Sequence, residues 1–161
     1  MRKVWAAWVV FLLVAVPAYG AEAGSTLTFS FKTRQGPTMV EAHAPSGEVG
    51  DTFDSSLSLV NRKTPQLGLG PHAVAGTMRF SYTIRHQCAA FTPSCTATAD
   101  FDTVSTLPGG TVVAKGSRIS IAQPTITIPV VGGTGLYEGA RGTISISPSS
   151  TKRSVFTLTL P

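Results

Sequence analysis

The sequence has few of the residues from which metal centres and nucleic-acid surfaces are built. Only two cysteines and three histidines occur among its 161 residues, and its 13 lysines and arginines form no cluster larger than a pair. A nucleic-acid surface would interleave such basic residues with aromatic ones, and neither Arg62-Lys63 nor Lys152-Arg153 is interleaved in this way. His86 and Cys88 have no further zinc ligand near them in the sequence, and His43 and His72 are isolated. The sequence therefore predicts no nucleic-acid partner and no metal site.

The sequence also lacks helical periodicity, and therefore lacks the helix that a dinucleotide-binding loop needs. The stretch PVVGGTGLYEGARG, residues 129–142, has glycines that imitate such a loop. In a true loop of this kind the glycines open a helix whose N-terminus meets the pyrophosphate. Here residues 143–147, TISIS, follow instead and alternate as a strand does. The pattern favours a glycine-kinked β-hairpin, and we expect no cofactor.

The only long hydrophobic run lies at the N-terminus. Arg2 and Lys3 precede an apolar stretch of about thirteen residues, which is short for a membrane span of about 20 residues. Ala18-Tyr19-Gly20 is a cleavage signal, and Ala21-Glu22-Ala23 is a second candidate. We interpret residues 1–20 as a signal peptide and expect a secreted or periplasmic protein without a stable membrane span after cleavage. A retained anchor is the alternative.

Residues 25–161 have the length of one domain and show β patterning throughout. Apolar and polar residues alternate in several runs, for example at residues 27–32, 78–85 and 155–160. Segments rich in Gly, Pro or Ser separate the runs at residues 35–37, 45–47, 61–72, 108–110 and 148–150. The count predicts about eight strands in an all-β barrel or sandwich.

Cys88 and Cys95 enclose a six-residue loop that contains the turn signal Thr92-Pro93-Ser94. Export would place them in an oxidising compartment. We therefore predict a disulfide that closes a β-hairpin, worth about 2–3 kcal/mol in the chain-entropy model.

This pairing of cysteines also predicts the register of the neighbouring strands. It places Tyr82 opposite Phe101 and Phe80 opposite Thr103. Pro108-Gly109 fits the centre of a type II turn, which places Asp102 opposite Lys115. This second register agrees with the first on which residues share a face. The predicted interior and ligand-binding face comprises Phe29, Phe31, Met78, Phe80, Tyr82 and Phe101. Tyr82 would supply a hydroxyl that orients a hydrophobic small molecule; the alternative is a core tyrosine whose hydroxyl reaches the barrel mouth.

Asp100 and Asp102 resemble a pair of catalytic carboxylates, but the register places them on the other, polar face. Two carboxylates that act as a general acid and a general base need different environments, usually in a pocket, so that their pKa values differ. On the polar face both aspartates come within diagonal reach of Arg79 and Arg85. A solvated ladder of ion pairs is the interpretation that the pattern favours.

Three motifs occur in an order that resembles the allene oxide cyclase and dirigent superfamily, especially its small exported bacterial members. They are GEVGDTFDSSL, LPGGTVVAKG and IPVVGGTGLYEGARGTISI, and the resemblance covers about residues 48–161. It implies an eight-stranded antiparallel β-barrel with a hydrophobic cavity, commonly assembled as homotrimers. The family turn motif falls on Gly132, Gly133, Gly135, Tyr137, Gly139, Arg141 and Gly142. These glycines would form a tight turn and a barrel bend where side chains cannot fit.

The catalytic residues of the family do not carry over as readily. The first strand, residues 27–32, has no carboxylate, although both branches of the superfamily place one there. The position of the cysteine in the cyclases falls near Met78 in this chain. Where the dirigent proteins have a charged pair before PVVGGTG, this chain has the uncharged Thr127-Ile128. Only Arg141 in GARG is retained.

Glu41, His43 and Asp51 are the candidate replacements for the first-strand carboxylate. Glu41 and His43 share a face of the strand from Thr38 to Ala44, and Asp51 begins the next strand. With a turn at Pro45-Ser46-Gly47, Glu41 would be the acid or base, His43 its partner and Asp51 an orienter near one barrel mouth. A solvent-facing Glu–His pair is the alternative.

Two functions therefore remain open at this point. One is a cofactor-independent cyclase, isomerase or stereocontrolling barrel that holds a reactive apolar molecule in one geometry. The other is a non-catalytic barrel that binds a hydrophobic ligand or partner.

Overall fold

The computed structural model describes residues 24–41, 48–62, 64–87, 96–147 and 153–161, without the side chains of residues 35–41 and Pro65. The predicted signal peptide, His43 and the Cys88–Cys95 bridge lie outside this part of the chain, as does the side chain of Glu41. Among the described residues, no helix has the length and apolarity needed to cross a membrane.

Eight antiparallel strands form a closed barrel in which each strand pairs with its neighbours in the sequence and β8 pairs with β1. The strands are β1 (Thr26–Glu41), β2 (Thr52–Asn61), β3 (Val74–His86), β4 (Thr98–Leu107), β5 (Gly110–Ser120), β6 (Ile126–Gly135), β7 (Arg141–Ser147) and β8 (Arg153–Thr159). A single 3-10 turn, Pro65–Leu67, interrupts the connection from β2 to β3. The predicted antiparallel barrel of eight strands is confirmed.

The predicted turn at Gln35-Gly36-Pro37 is wrong, because β1 continues through it. The pairing of β1 with β2 shifts register between Gln35 and Thr38. Proline and glycine are tolerated at such a β-bulge, where one strand carries extra residues and bends. The segment that looked like a second strand is therefore the far half of a strand of 16 residues.

The registers of β3, β4 and β5 are confirmed. Tyr82 lies opposite Phe101, Phe80 opposite Thr103 and Asp102 opposite Lys115. Alternation along each strand then places one face inside the barrel and the other outside. Phe31, Met78 and Phe156 are completely buried in the interior.

Tyr137 closes one end of the barrel. Its ring packs edge-on against Phe29, with 6.2 Å between the centroids. Its hydroxyl donates to the backbone oxygen of Pro108 at 3.0 Å, so the turn after β6 is tied to the turn after β4. Because successive strands run in opposite directions, the turns after β1, β3, β5 and β7 all lie at the other end, which we call the mouth.

Candidate functional site

A row of aromatic side chains crosses three strands next to the mouth. Phe53, Tyr82 and Phe101 are direct cross-strand neighbours on β2, β3 and β4. Tyr82 stacks on both partners, with centroid distances of 4.8 Å to Phe53 and 5.4 Å to Phe101. Phe53 and Tyr82 remain partly exposed although they point inward. The row is therefore an apolar, flat surface that is accessible from the mouth.

A second row lies one step deeper on the same wall. Phe80 follows Tyr82 on the inward face of β3, with its ring nearly parallel at 6.4 Å. Ser55 on β2 and Thr103 on β4 lie opposite Phe80 on either side. Their side-chain oxygens are buried and have no hydrogen-bond partner within the described residues. Two unpartnered hydroxyls therefore flank a phenyl ring that is itself only partly buried.

Tyr82 is the titratable group of this wall. Burial raises the pKa of its phenol above the ordinary value, because the anion is desolvated more severely than the neutral form. The hydroxyl therefore stays protonated at neutral pH and can donate a hydrogen bond. Within the described parts of the eight strands, none of the inward-facing side chains carries a charge; the buried carboxylate of Asp51 immediately precedes β2.

Charged residues instead occupy the outer face of β3, β4 and the adjacent β5. Arg85 contacts Asp100 at 2.6 Å and Lys115 contacts Asp102 at 2.7 Å. A hydrogen bond from the Arg118 backbone N–H, and then one from the Arg85 side chain, lower the pKa of Asp100. The predicted surface ion pairs are confirmed: Asp102 pairs with Lys115, the residue that the register places opposite it, and not with the diagonal Arg79.

A groove of about 260 Å³ runs along this outer face. The outward-pointing side chains that line it are Asp54, Ser56, Arg79, Ser81, Asp102 and Val104. It is separated from the aromatic row by the sheet itself, so the two concave surfaces must be told apart by experiment.

The glycine motif forms the hairpin of β6 and β7, as its pattern predicts. A side chain at Gly133 would meet the backbone oxygens of Thr111 and Tyr137, and one at Gly142 would meet that of Thr157. Gly135 and Gly139 have left-handed φ angles of 61° and 72° in the turn itself. The glycines therefore serve close backbone approach and turning.

Arg141 lies outside the barrel and supports the same hairpin. Its guanidinium donates to the backbone oxygen of Val131, and to that of Ala140 at 3.4 Å. The side chain is exposed and faces away from the aromatic row. These contacts give the retained arginine of GARG a structural role.

Asp51, the proposed orienter of Glu41 and His43, immediately precedes β2 at the mouth. It is buried, and its Oδ2 accepts a hydrogen bond from the backbone N–H of Glu48 at 3.0 Å. Asp51 thus holds its own turn together. Its part in an acid–base cluster stays a prediction, because the other two side chains are outside the described residues.

The six residues predicted to contact a ligand all point inward, but at different depths. Phe80 and Tyr82 are accessible, Phe101 keeps 6% exposure, and Phe29, Phe31 and Met78 are sealed in the core. Sequence reasoning missed Phe53 and Ser55. The alternation of Phe53, Ser55, Leu57 and Leu59 along the sequence is the signal that could have found them.

No protein-family model matches the chain, and no curated protein matches it. Solved structures do match. A pyocyanin demethylase aligns with a TM-score of 0.64 at 17% identity, over 82% of this chain and 98% of the other. The exo-specific intermolecular Diels-Alderase AbnU aligns with a TM-score of 0.63 at 15% identity, over 84% and 99%. A pterocarpan synthase dirigent protein aligns with a TM-score of 0.56 at 16% identity, over 86% and 95%.

These likenesses establish the fold. The chain has the same barrel as solved Diels-Alderases and dirigent proteins, in agreement with the superfamily that the sequence motifs resemble. At such low identity, the activities of those proteins do not transfer with the fold.

Proposed function

We propose that this barrel binds a hydrophobic small molecule against the aromatic row and restrains its geometry, as a cofactor-independent cyclase, isomerase or dirigent-like stereocontrolling protein. The observation that supports this most directly is the exposure of Phe53, Phe80 and Tyr82, which point into the barrel yet stay accessible. Apolar surface in a concave site with a few polar groups is the usual composition of a small-molecule site.

The stacked rings favour a flat or conjugated ligand. Tyr82 is nearly parallel to Phe53 and Phe80, with interplanar angles of 14° and 10°. A planar molecule can extend such a stack with favourable offset contacts. Holding a flexible, reactive molecule in this way removes much of the entropic part of a cyclisation barrier.

The Tyr82 hydroxyl would lower the electrostatic part of the same cyclisation barrier. Its raised pKa keeps it a neutral donor, and it has no hydrogen-bond partner within the described residues. A hydrogen bond from a phenol to a ligand carbonyl withdraws electron density and stabilises negative charge that develops on that oxygen. This mechanism requires no proton transfer.

A non-catalytic binding barrel is the second candidate. It is favoured by the lack of charged groups among the inward-facing side chains within the described parts of the strands. Glu41 with His43 and Asp51 remains the proposed acid–base cluster of the catalytic alternative. Glu41→Gln should weaken ligand binding or turnover at least tenfold, about 1.4 kcal/mol, if that cluster acts on the ligand. Unchanged affinity, turnover and melting temperature would favour the non-catalytic barrel.

Binding inside the barrel can be tested with a matched pair of variants and the neutral fluorescent probe 1-N-phenylnaphthylamine. Ser55→Phe adds a ring to the inward face beside Phe80, whereas Ser56→Phe adds the same ring to the outer face beside Arg79. We expect the probe to bind the native chain and the Ser56 variant, and to lose at least tenfold in affinity for the Ser55 variant. Equal affinity for both folded variants would place the site elsewhere.

A further inference from the structure

Three buried hydroxyls lie on the wall beneath the aromatic row, on β2 and β4 to either side of β3. Ser55 and Thr103 are the two neighbours of Phe80, and Ser105 is the next inward-facing residue on β4, opposite Met78. Thr103 and Ser105 have no exposed surface. The Oγ atoms of all three are buried and have no hydrogen-bond partner within the described residues.

Hydroxyls without partners are costly in an apolar interior, and folded proteins rarely keep several together. Packing alone does not require them. The same inward rows carry Val112 and Ala114 directly opposite Ser105 and Thr103 on β5, so small apolar side chains are accommodated at this depth. Replacing a buried, unpartnered hydroxyl by an apolar group of the same shape is expected to be neutral or stabilising. Ser55, Thr103 and Ser105 therefore oppose stability, as residues kept for a ligand often do.

We infer that Ser55, Thr103 and Ser105 form a polar subsite for the oxygen atoms of a neutral, flat, carbonyl- or hydroxyl-bearing ligand. This inference rests on the proposed function and specifies its ligand class. Each hydroxyl can both donate and accept, which suits a carbonyl or an alcohol equally. Beside these hydroxyls an ionised ligand group would find no opposite charge among the inward-facing side chains of the described β2, β3 and β4 and would lose its hydration.

Phe80 controls access to this subsite. Its ring lies between Ser55 and Thr103 in the cross-strand row, directly inward of Tyr82. The ring is only partly buried and stacks on Tyr82 at 6.4 Å. A ligand stacked on Tyr82 would displace this ring and present its polar atom to the hydroxyls behind it.

A pair of tricyclic compounds that differ by one carbonyl, 9-fluorenone and fluorene, tests the subsite. Each is titrated against the full-length chain loaded with 1-N-phenylnaphthylamine, and displacement is followed by fluorescence. We expect the native chain to bind fluorenone at least tenfold more tightly than fluorene. Thr103→Val should reduce this preference to less than threefold, leave the affinity for fluorene unchanged, and keep or raise the melting temperature of the free protein.

Thr106→Val is the matched control, because Thr106 lies on the same strand but is exposed on the outer face. It should keep the preference for fluorenone. Ser105→Ala repeats the test with a second hydroxyl, should the first variant fold poorly.

The outcomes separate the inference from the proposed function. Equal binding of both compounds to the native chain, or an undiminished preference in the Thr103 and Ser105 variants, would overturn the polar subsite while leaving the apolar site intact. A marked fall in melting temperature for both variants would show that the hydroxyls serve the fold. Failure of the probe and of both compounds to bind would overturn the proposed function itself.

Discussion

Asn61 shows how much a single buried polar residue contributes to this barrel. It is 1% exposed at the end of β2. Its side-chain nitrogen donates to the backbone oxygen of Leu69 at 2.9 Å, and its side-chain oxygen accepts from the backbone N–H of Thr64 at 2.9 Å. Thr64 in turn accepts from the backbone N–H of Ser30 on β1 at 3.2 Å. One amide thus organises the long connection after β2 and ties it to the first strand.

Replacing Asn61 by Ala should destabilise the protein by about 2 kcal/mol or more, because several backbone groups would be left buried without partners. Ser56→Ala on the same strand is the control and should stay within about 0.5 kcal/mol of the native chain. Denaturant unfolding monitored by circular dichroism measures both. Equal stability of the two variants would mean that water replaces the Asn61 amide without loss.

Whether the position of a single side chain could be predicted from the sequence depended on the kind of interaction that it makes. The inward direction of Phe80 and Tyr82 was predictable from alternation, since a strand has only two faces. The pairing of Asp102 with Lys115 could be placed by register, but its preference over Arg79 depends on side-chain conformations that no spacing rule contains. Asp51 was expected near a catalytic cluster, whereas its observed hydrogen bond to Glu48 is local and typical of aspartate in turns.

The hairpin of β6 and β7 depends on glycine at particular positions. At Gly133 a Cβ atom would collide with two backbone oxygens, which cannot move without disturbing β5 and the turn at Tyr137. At the preceding Gly132 the nearest atom is the guanidinium of Arg141 at 3.8 Å, and no backbone approaches closely. Two adjacent glycines of one motif therefore differ in whether a side chain can replace the hydrogen at that position.

Gly133→Ala should lower the free energy of unfolding by about 2 kcal/mol or more, a loss of the size seen when a substitution forces backbone strain. Gly132→Ala is the matched control and should change stability by less than about 0.5 kcal/mol. Thermal unfolding of the two variants side by side makes the comparison. If both tolerate alanine equally, the close approach of β5 to β6 is not required for the fold.

At the scale of strands, the sequence was most informative where turns are short. The two-residue connection of β4 and β5 leaves a single register, and that register was predicted correctly. The bend in β1 was mistaken for a turn, because Gln35-Gly36-Pro37 has the composition of both. Only the pairing with β2 on both sides of the bulge distinguishes them, and such long-range pairing is not visible in local composition.

For the whole molecule, two tyrosines link stability to alkaline pH. Burial raises the pKa of both Tyr82 and Tyr137, so the folded chain holds these protons more tightly than the unfolded chain. Their contribution is fully present below the unfolded pKa of about 10 and is lost as the pH rises through the raised folded values. The barrel should therefore unfold more easily as the pH increases above about 10.

Chemical unfolding between pH 8 and 12 measures this dependence. The double variant Tyr82→Phe, Tyr137→Phe should show a shallower decline than the native chain, although its stability at pH 8 will be lower because the bond to Pro108 is lost. The slope, not the starting value, is the readout. Identical slopes would assign the alkaline transition to other groups.

The barrel has two concave surfaces on opposite sides of β2, β3 and β4. The inner surface is the apolar aromatic row, and the outer surface is the charged groove. The account depends on the first of these being the binding surface. A ligand on the inner side would stack on Tyr82, whereas one in the groove would contact Val104 and Arg79.

Isotope-filtered NMR of the labelled protein with unlabelled 1-N-phenylnaphthylamine distinguishes these surfaces most directly, because nuclear Overhauser effects report protons within about 5 Å. The account predicts intermolecular effects from the probe to the ring protons of Phe53, Phe80 and Tyr82. Effects to the methyl groups of Val104, with none to those rings, would contradict it.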